Sequence, residues 1–415
     1  MSERPGLHRR LGLGDAVMVG LSSMIGAGIF SALAPAAAAA RSGLLIGLVI
    51  AAVVAYCNAV SSARLAARDP RSGGAYVYGR ERLGEFWGYL AGWSFVVGKT
   101  ASCAAMALTV GAYAWPTHAR AIAVASVVAL TAVNCLGIAK SAVLTRWIVA
   151  VVLAVLAGVV ISAVDADALT VSRLGVTPGA SVWGVLQAGG LLFFAFAGYA
   201  RIATLGEEVR DPQRTIPRAI SIALALALAV YAIVAGTTLA VLGPERLASS
   251  AAPLTDVARA SGGAALVTAV GIGGAVAAMG SLLSLILGVS RTGLAMARDG
   301  HLPSSLGAIH PRFGVPHRAE IAVGLIVSIL AVTVDLRGAI GFSSFGVLVY
   351  YGIANASAWT LTPAEGRPVR VIPIVGALGC AALAVTLPLS SVATGGSVLV
   401  AGGLVYAVRS RFRRR

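Results

Sequence analysis

The chain has 415 residues, 58% of them apolar and only 12% charged, with a formal net charge of +16. Soluble domains carry about a quarter charged residues. This balance, with a mean hydropathy of +0.88, excludes an ordinary soluble enzyme and points to an all-α integral membrane protein.

The N-terminus, MSERPGLHRRLGLGD, sets charge and glycine ahead of the first apolar span. Many more spans follow and no small-residue cleavage site ends the first, so no signal peptide is expected. Windows of roughly 20 apolar residues, each enough for one ~30 Å crossing, recur twelve times. They lie near 15–36, 42–62, 86–114, 121–138, 144–163, 182–204, 219–242, 264–296, 320–334, 339–360, 371–388 and 392–408. Short polar connectors join them, predicting a single membrane domain over 1–415.

Twelve crossings put both termini on one side. With that side cytoplasmic, inner segments hold 25 of the 32 Lys and Arg, including Lys140, Arg201, Arg210, Arg214, Arg218 and the five arginines of RSRFRRR. Outer segments hold six: Arg41, Arg120, Arg173, Arg246, Arg259 and Arg337. The last, Lys99, falls inside a span. Such a bias predicts cytoplasmic N- and C-termini in the plasma membrane. It also explains the net charge by contact with anionic membrane lipid, so no nucleic acid partner is expected.

The first window contains SSMIGAGIFSALAP (22–35). Gly26, Ala27 and Gly28 in mid-span suit a broken helix, tolerated only where freed backbone is buried in protein or lines a cavity. Close helix packing through small residues is the competing explanation. The sixth window repeats the feature in GGLLFFAFAGY (189–199). Interrupted segments at matching positions of two halves point to a transporter's central site. There the start of a half-helix, with unpaired N–H groups, suits a carboxylate. Unwound carbonyls suit an ammonium, so the pair would recognise an amino acid.

Four stretches carry a resemblance: SSMIGAGIF; DPRSGGAYVYGRERLGEFWGYLAGW (69–93); FFAFAGYARIATLGEEVRDPQRTIPRAI (193–220); and SRTGLAMARDGHLPSSLGAIHPRFGVPHRA (290–319). Together the chain resembles the amino acid–polyamine–organocation (APC) superfamily of permeases, with its leucine-transporter-type fold. The resemblance implies twelve transmembrane helices. Two five-helix inverted repeats would cover about 15–163 and 182–360, with two extra helices at about 371–408. It implies secondary active transport by alternating access, without a cofactor. By position, the amides around Ser23, Ile25, Gly26, Ala27 and Gly28 would hold the substrate carboxylate. Carbonyls of Phe194, Ala195 and Ala197 would hold the amino group, and Phe196 or Tyr199 would close over the side chain. That apolar lining leans towards neutral amino acids.

Lys99, well inside the third window, is costly unless functional; snorkelling to an interface is the alternative. Some similar permeases carry a lysine in the fifth helix, but here that helix reads WIVAVVLAVLAGVVI, with no ionisable group. Lys99 is therefore the candidate for proton coupling, with Ser281, Ser284 or unwound carbonyls of the first helix as partners. Arg201 stands where many relatives have an acid. Glu207 and Glu208 beside Arg210, Arg214 and Arg218 are either a gate network or a solvated loop.

Other features suggest no chemistry. His301, His310 and His317 share one connector without zinc spacing, and are expected to be exposed; no metal site is predicted. Cys57, Cys103, Cys135 and Cys380 lie far apart in apolar segments, as small core residues. GFSSF (341–345) has no membrane-embedded histidine beside its serines, so a membrane hydrolase has little support. The alternative to a permease is a non-transporting amino acid sensor or accessory protein on the same scaffold.

Overall fold

Hydrocarbon offers no hydrogen-bond partners, so apolar windows of this length must close their backbone bonds internally. The computed structural model, which describes residues 11–69, 73–137, 142–176, 179–199, 202 and 209–413, shows them doing so as α-helices. In chain order these are α1 Leu13–Met24, α2 Ala27–Ser31, α3 Leu33–Ala40, α4 Leu44–Arg68, α5 Ala75–Leu83, α6 Glu85–Ala114, α7 Ala119–Cys135 and α8 Ala142–Asp165. Then follow α9 Val182–Phe196, α10 Pro212–Ser249, α11 Pro253–Ser261, α12 Ala264–Arg298, α13 His317–Thr333, α14 Leu336–Trp359, α15 Val371–Thr386 and α16 Leu389–Arg413. Among the described residues the β-pairing outside these helices is one bridge, between Leu11 and Val209.

Ten helical stretches among the described residues are long and apolar enough to cross a membrane. The ninth and eleventh windows fall on α13 and α15, of 17 and 16 residues. The first is divided among α1, α2 and α3. Arg71, Lys140, Arg201, Glu207 and Glu208 lie outside the described residues, as do residues 1–10, so the expected Glu207–Glu208 network is not placed. The starts of α9 and α14 are capped by side chains. Ser181 accepts from the Gly184 amide at 3.0 Å, and Asp335 from the Gly338 amide at 3.2 Å.

Helix α6 is central and packs against both α12 and α14. Its Gly98 is so close to α14 that a Cβ there would stand 3.2 Å from the Gly346 Cα. Small residues permit this approach, which sets the neighbouring Lys99 deep in the protein.

On the face bearing the arginine-rich connectors, α5 is clamped from several sides. Its Ala75 amide donates to Tyr350 Oη (2.9 Å), and Arg80 pairs with Asp299 (2.6 Å). His301 departs from the expected exposure. It is 5% exposed, with Nδ1 2.9 Å from Tyr76 Oη and its ring between those of Tyr76, Tyr89 and Tyr406. The connector after α12 folds back beneath α5 and α6, so its polar start is covered. His310 and His317 are half-buried as well.

Arg82 holds the connector carboxylate of Glu365 through two bonds, of 3.1 and 2.5 Å. That guanidinium, with the Thr362 amide, holds the Glu365 carboxyl down to about 2. A folded-state value below the unfolded one adds stability above the ordinary glutamate range, lost as pH falls towards 2. Cooling of the melting temperature between pH 6 and pH 2.5 should therefore be smaller in Glu365→Gln than in wild type. The difference will be modest because the pair is solvated; equal shifts would remove the pair from the account.

Candidate functional site

The first window does break. Helix α1 stops at Met24, and Ile25 (φ −79°, ψ 57°) and Gly26 (φ −118°, ψ −136°) leave the helical path before α2 begins at Ala27. The Ile25 amide still bonds to Leu21 O (2.7 Å) and the Gly26 amide turns back to Met24 O (2.8 Å), while the first amides of α2 lack helical partners. Close packing accompanies the break. A Cβ on Gly26 would run into the Ser281 hydroxyl of α12, and one on Gly28 would stand 2.6 Å from the Ala195 Cα of α9. The two explanations of GAG hold together: glycine lets the chain unwind and lets it touch α9 and α12 as it does so.

In the sixth window α9 ends at Phe196 and tightens into a 3-10 turn over Ala197–Tyr199. Here Gly198 is decisive. A Cβ on it would lie 2.7 Å from the Met24 nitrogen and closer still to the Ser23 carbonyl. The two broken segments thus cross with backbone against backbone.

Side chains from three other helices converge on this crossing. Tyr231 of α10 has its hydroxyl 2.5 Å from the Met24 carbonyl oxygen and 2.9 Å from that of Ala195. With one proton it donates to one at a time. Lys99 Nζ of α6 donates to the Ala197 carbonyl at 3.4 Å. Tyr351 of α14 reaches the same oxygen at 3.5 Å. The rings of Tyr199 and Tyr351 lie 5.1 Å apart, and those of Phe196 and Tyr231 5.0 Å apart.

The structure brings together Ile25, Gly26, Ala27, Gly28, Phe194, Ala195, Phe196, Ala197, Tyr199, Lys99 and Ser281, all buried, with Ser23 and Ser284 part-exposed. Ser23 Oγ bonds back to Val19 O of its own helix (2.9 Å). Two expectations change in detail. Of the three carbonyls assigned to an ammonium, those of Ala195 and Ala197 already have protein donors. Lys99 is held by neither Ser281, Ser284 nor the first helix, but by the sixth-window carbonyl of Ala197. Ala197 opens the 3-10 turn that follows α9, and its carbonyl meets Lys99 of α6 there. Ser284 bonds to Gly280 O (3.1 Å), while the buried Ser281 hydroxyl has no hydrogen-bond partner among the described residues.

The sequence reading passed over Tyr231, Tyr351 and Gly198. Tyr231 left a signal: in ALALALAVYAIVAG a lone phenol sits in apolar surroundings, where its hydroxyl must find a partner. Among the described residues no group of three His, Cys, Asp or Glu is arranged to hold a metal ion.

An all-helical chain of this kind, with two of its membrane-length windows broken and crossed, is a multi-pass membrane protein of the transporter class. It belongs to the amino acid permease family, within the APC superfamily: the family profile matches residues 11–408. It is a transporter, not an enzyme. A protein described as an uncharacterized transporter of Mycobacterium tuberculosis is 69% identical over 409 residues, 99% of this chain and 93% of that one. The human cationic amino acid transporter 4 is 29% identical over 394 residues, 87% of this chain and 61% of its own. The branched-chain amino acid permease BcaP of Bacillus subtilis is 25% identical over 437 residues, covering 98% and 94%.

Proposed function

We propose that this amino acid transporter works in the plasma membrane by alternating access. It crosses twelve times, in two inverted five-helix repeats plus two helices, with both termini in the cytoplasm. The observation that supports this most is the crossing of the two broken segments at Gly198 and Ser23–Met24. It gathers helix-start amides and unwound carbonyls in one buried place, the pairing a zwitterion requires.

In this reading the amides of Ala27 and Gly28 take the substrate carboxylate, joined by those of Ile25 and Gly26 once their bonds to the Leu21 and Met24 carbonyls (2.7 and 2.8 Å) open. The Phe194 carbonyl, with those of Ala195 and Ala197 once their protein donors move aside, takes the ammonium. Phe196 and Tyr199 close over the side chain. The relatives' names point two ways, to cationic and to branched-chain amino acids, and the apolar lining favours the neutral class.

The test is reconstitution of the purified chain in liposomes with counterflow of labelled amino acids. Uptake of at least one is expected; none would leave the sensor reading ahead. Lys99 serves as the coupling group in this reading, taking up and releasing a proton as the site faces each side. Lys99→Met should abolish accumulation driven by a pH gradient yet keep exchange. Full gradient-driven accumulation in that variant would refute the role, and a strict sodium requirement would transfer it to an ion site near Ser281.

A further inference from the structure

A lysine ammonium lies against a carbonyl of the substrate-site segment. Lys99 is 7% exposed and donates to Ala197 O. Among the described residues no carboxylate lies within ion-pairing distance of it. None of the residues assigned to the site is acidic. The groups around Ala197 are instead phenols and apolar rings: Tyr351 on the same oxygen, Tyr199 against Tyr351, and Phe193 also against Tyr351. Among the described residues the site therefore carries one cation, Lys99 in its protonated state, and no counter-charge.

We propose that Lys99 is a charge filter that sets substrate class: amino acids with neutral or acidic side chains enter, and those with cationic side chains are refused. The inference rests on the substrate site proposed above and deepens it.

A cationic side chain lodged beside Ala197 meets a like charge held by the protein, with water excluded. Two unit charges ~6 Å apart at an effective dielectric constant of ~20 repel by ~3 kcal/mol, which is roughly 100-fold in affinity. Neutral side chains incur no such repulsion, and acidic ones gain from it. Pairing acts as well: a buried cation without a carboxylate partner is costly, and amino acids all carry a carboxylate. An incoming carboxylate supplies the missing counter-charge, whereas a second ammonium worsens the deficit. A like-charge clash against the wrong ligand is how specificity is commonly built.

Isosteric pairs test this without presuming the preferred size. Norleucine and ornithine differ by one methyl exchanged for an ammonium, as do norvaline and 2,4-diaminobutyrate. Binding to the detergent-purified full chain is read by ligand-induced shift of the melting temperature at graded concentrations, over these pairs and the common amino acids. In wild type the neutral member of whichever pair binds should be favoured by roughly 100-fold. Lys99→Met should narrow that ratio below about 10-fold, and Lys99→Arg, which keeps the charge, should preserve it. Ornithine or lysine binding within about 10-fold of norleucine in wild type overturns the filter, and the wild-type pairs decide even if the variants fail to fold. An unchanged ratio in a folded Lys99→Met also overturns it. If no amino acid shifts the melting temperature, the substrate-site reading falls and the filter with it, an outcome distinct from binding of the wrong class.

Discussion

In Gly198→Val, amino acid uptake into liposomes is expected to drop below ~1% of wild type while the protein still inserts in the membrane. The reason lies in what the new carbon would meet. Its position falls on the Ser23 carbonyl group and 2.7 Å from the Met24 nitrogen, which are backbone atoms and cannot rotate out of the way. Overpacking against movable side chains costs about 1–3 kcal/mol; against backbone the two broken segments must separate. A displacement of ~1 Å at a site that relies on placed groups costs on the order of 100-fold in rate, and a branched side chain needs more room than that. Gly28→Val should act in the same direction, since its Cβ meets Ala195 at 2.6 Å. Gly403→Val is the matched control: nothing lies within 4 Å of that position, and uptake should stay near wild type. Normal uptake by Gly198→Val would show that the crossing of the two segments is not where substrate passes.

The sequence made the spans legible because hydrocarbon leaves one economical backbone solution, and windows near 20 residues announce it. The break in the first span was legible for a related reason: Gly26 and Gly28 in mid-membrane lack any gain as helix formers. What could not be read were contacts made by chain segments far apart. Lys99 was visible as a buried charge, but its partner was sought on the eighth and first helices. It lies at Ala197, in the turn after α9, a contact between residues 98 apart in sequence. Tyr231 and Tyr351 serve the site from helices whose apolar patterns look like ordinary core. His301 was expected in water because connectors usually run over surfaces. The fold-back of this one beneath α5 depends on Tyr76, Tyr89 and Tyr406, which are distant in sequence. Composition and spacing therefore revealed which helices matter; the identity of the groups that lock them together required the packed chain.

Tyr231→Phe should lower uptake by roughly 10- to 100-fold, because one hydroxyl links the two broken segments. The wild-type hydroxyl sits between the Met24 and Ala195 carbonyl oxygens, one from each broken segment. Met24 ends α1 and Ala195 lies in the last turn of α9; the Met24 oxygen also accepts from the Gly26 amide at 2.8 Å, so what the variant loses is the link between the two segments. A lost buried hydrogen bond costs about 0.5–1.5 kcal/mol, borne here at the point where the segments must hold register. The phenyl ring remains against Phe196, at a centroid distance of 5.0 Å in the wild type, so lost packing is not the cause. Tyr351→Phe is the instructive comparison. Its hydroxyl reaches the Ala197 carbonyl at 3.5 Å, and Lys99 also serves that oxygen at 3.4 Å, so the carbonyl keeps a donor when the hydroxyl goes. Uptake in Tyr351→Phe should stay within about threefold of wild type. Measured side by side with melting temperatures, the two variants separate a bridging hydroxyl from a merely buried one. Wild-type uptake by Tyr231→Phe, or a loss in Tyr351→Phe as large as in Tyr231→Phe, would mean that the breaks are held by something other than this bridge.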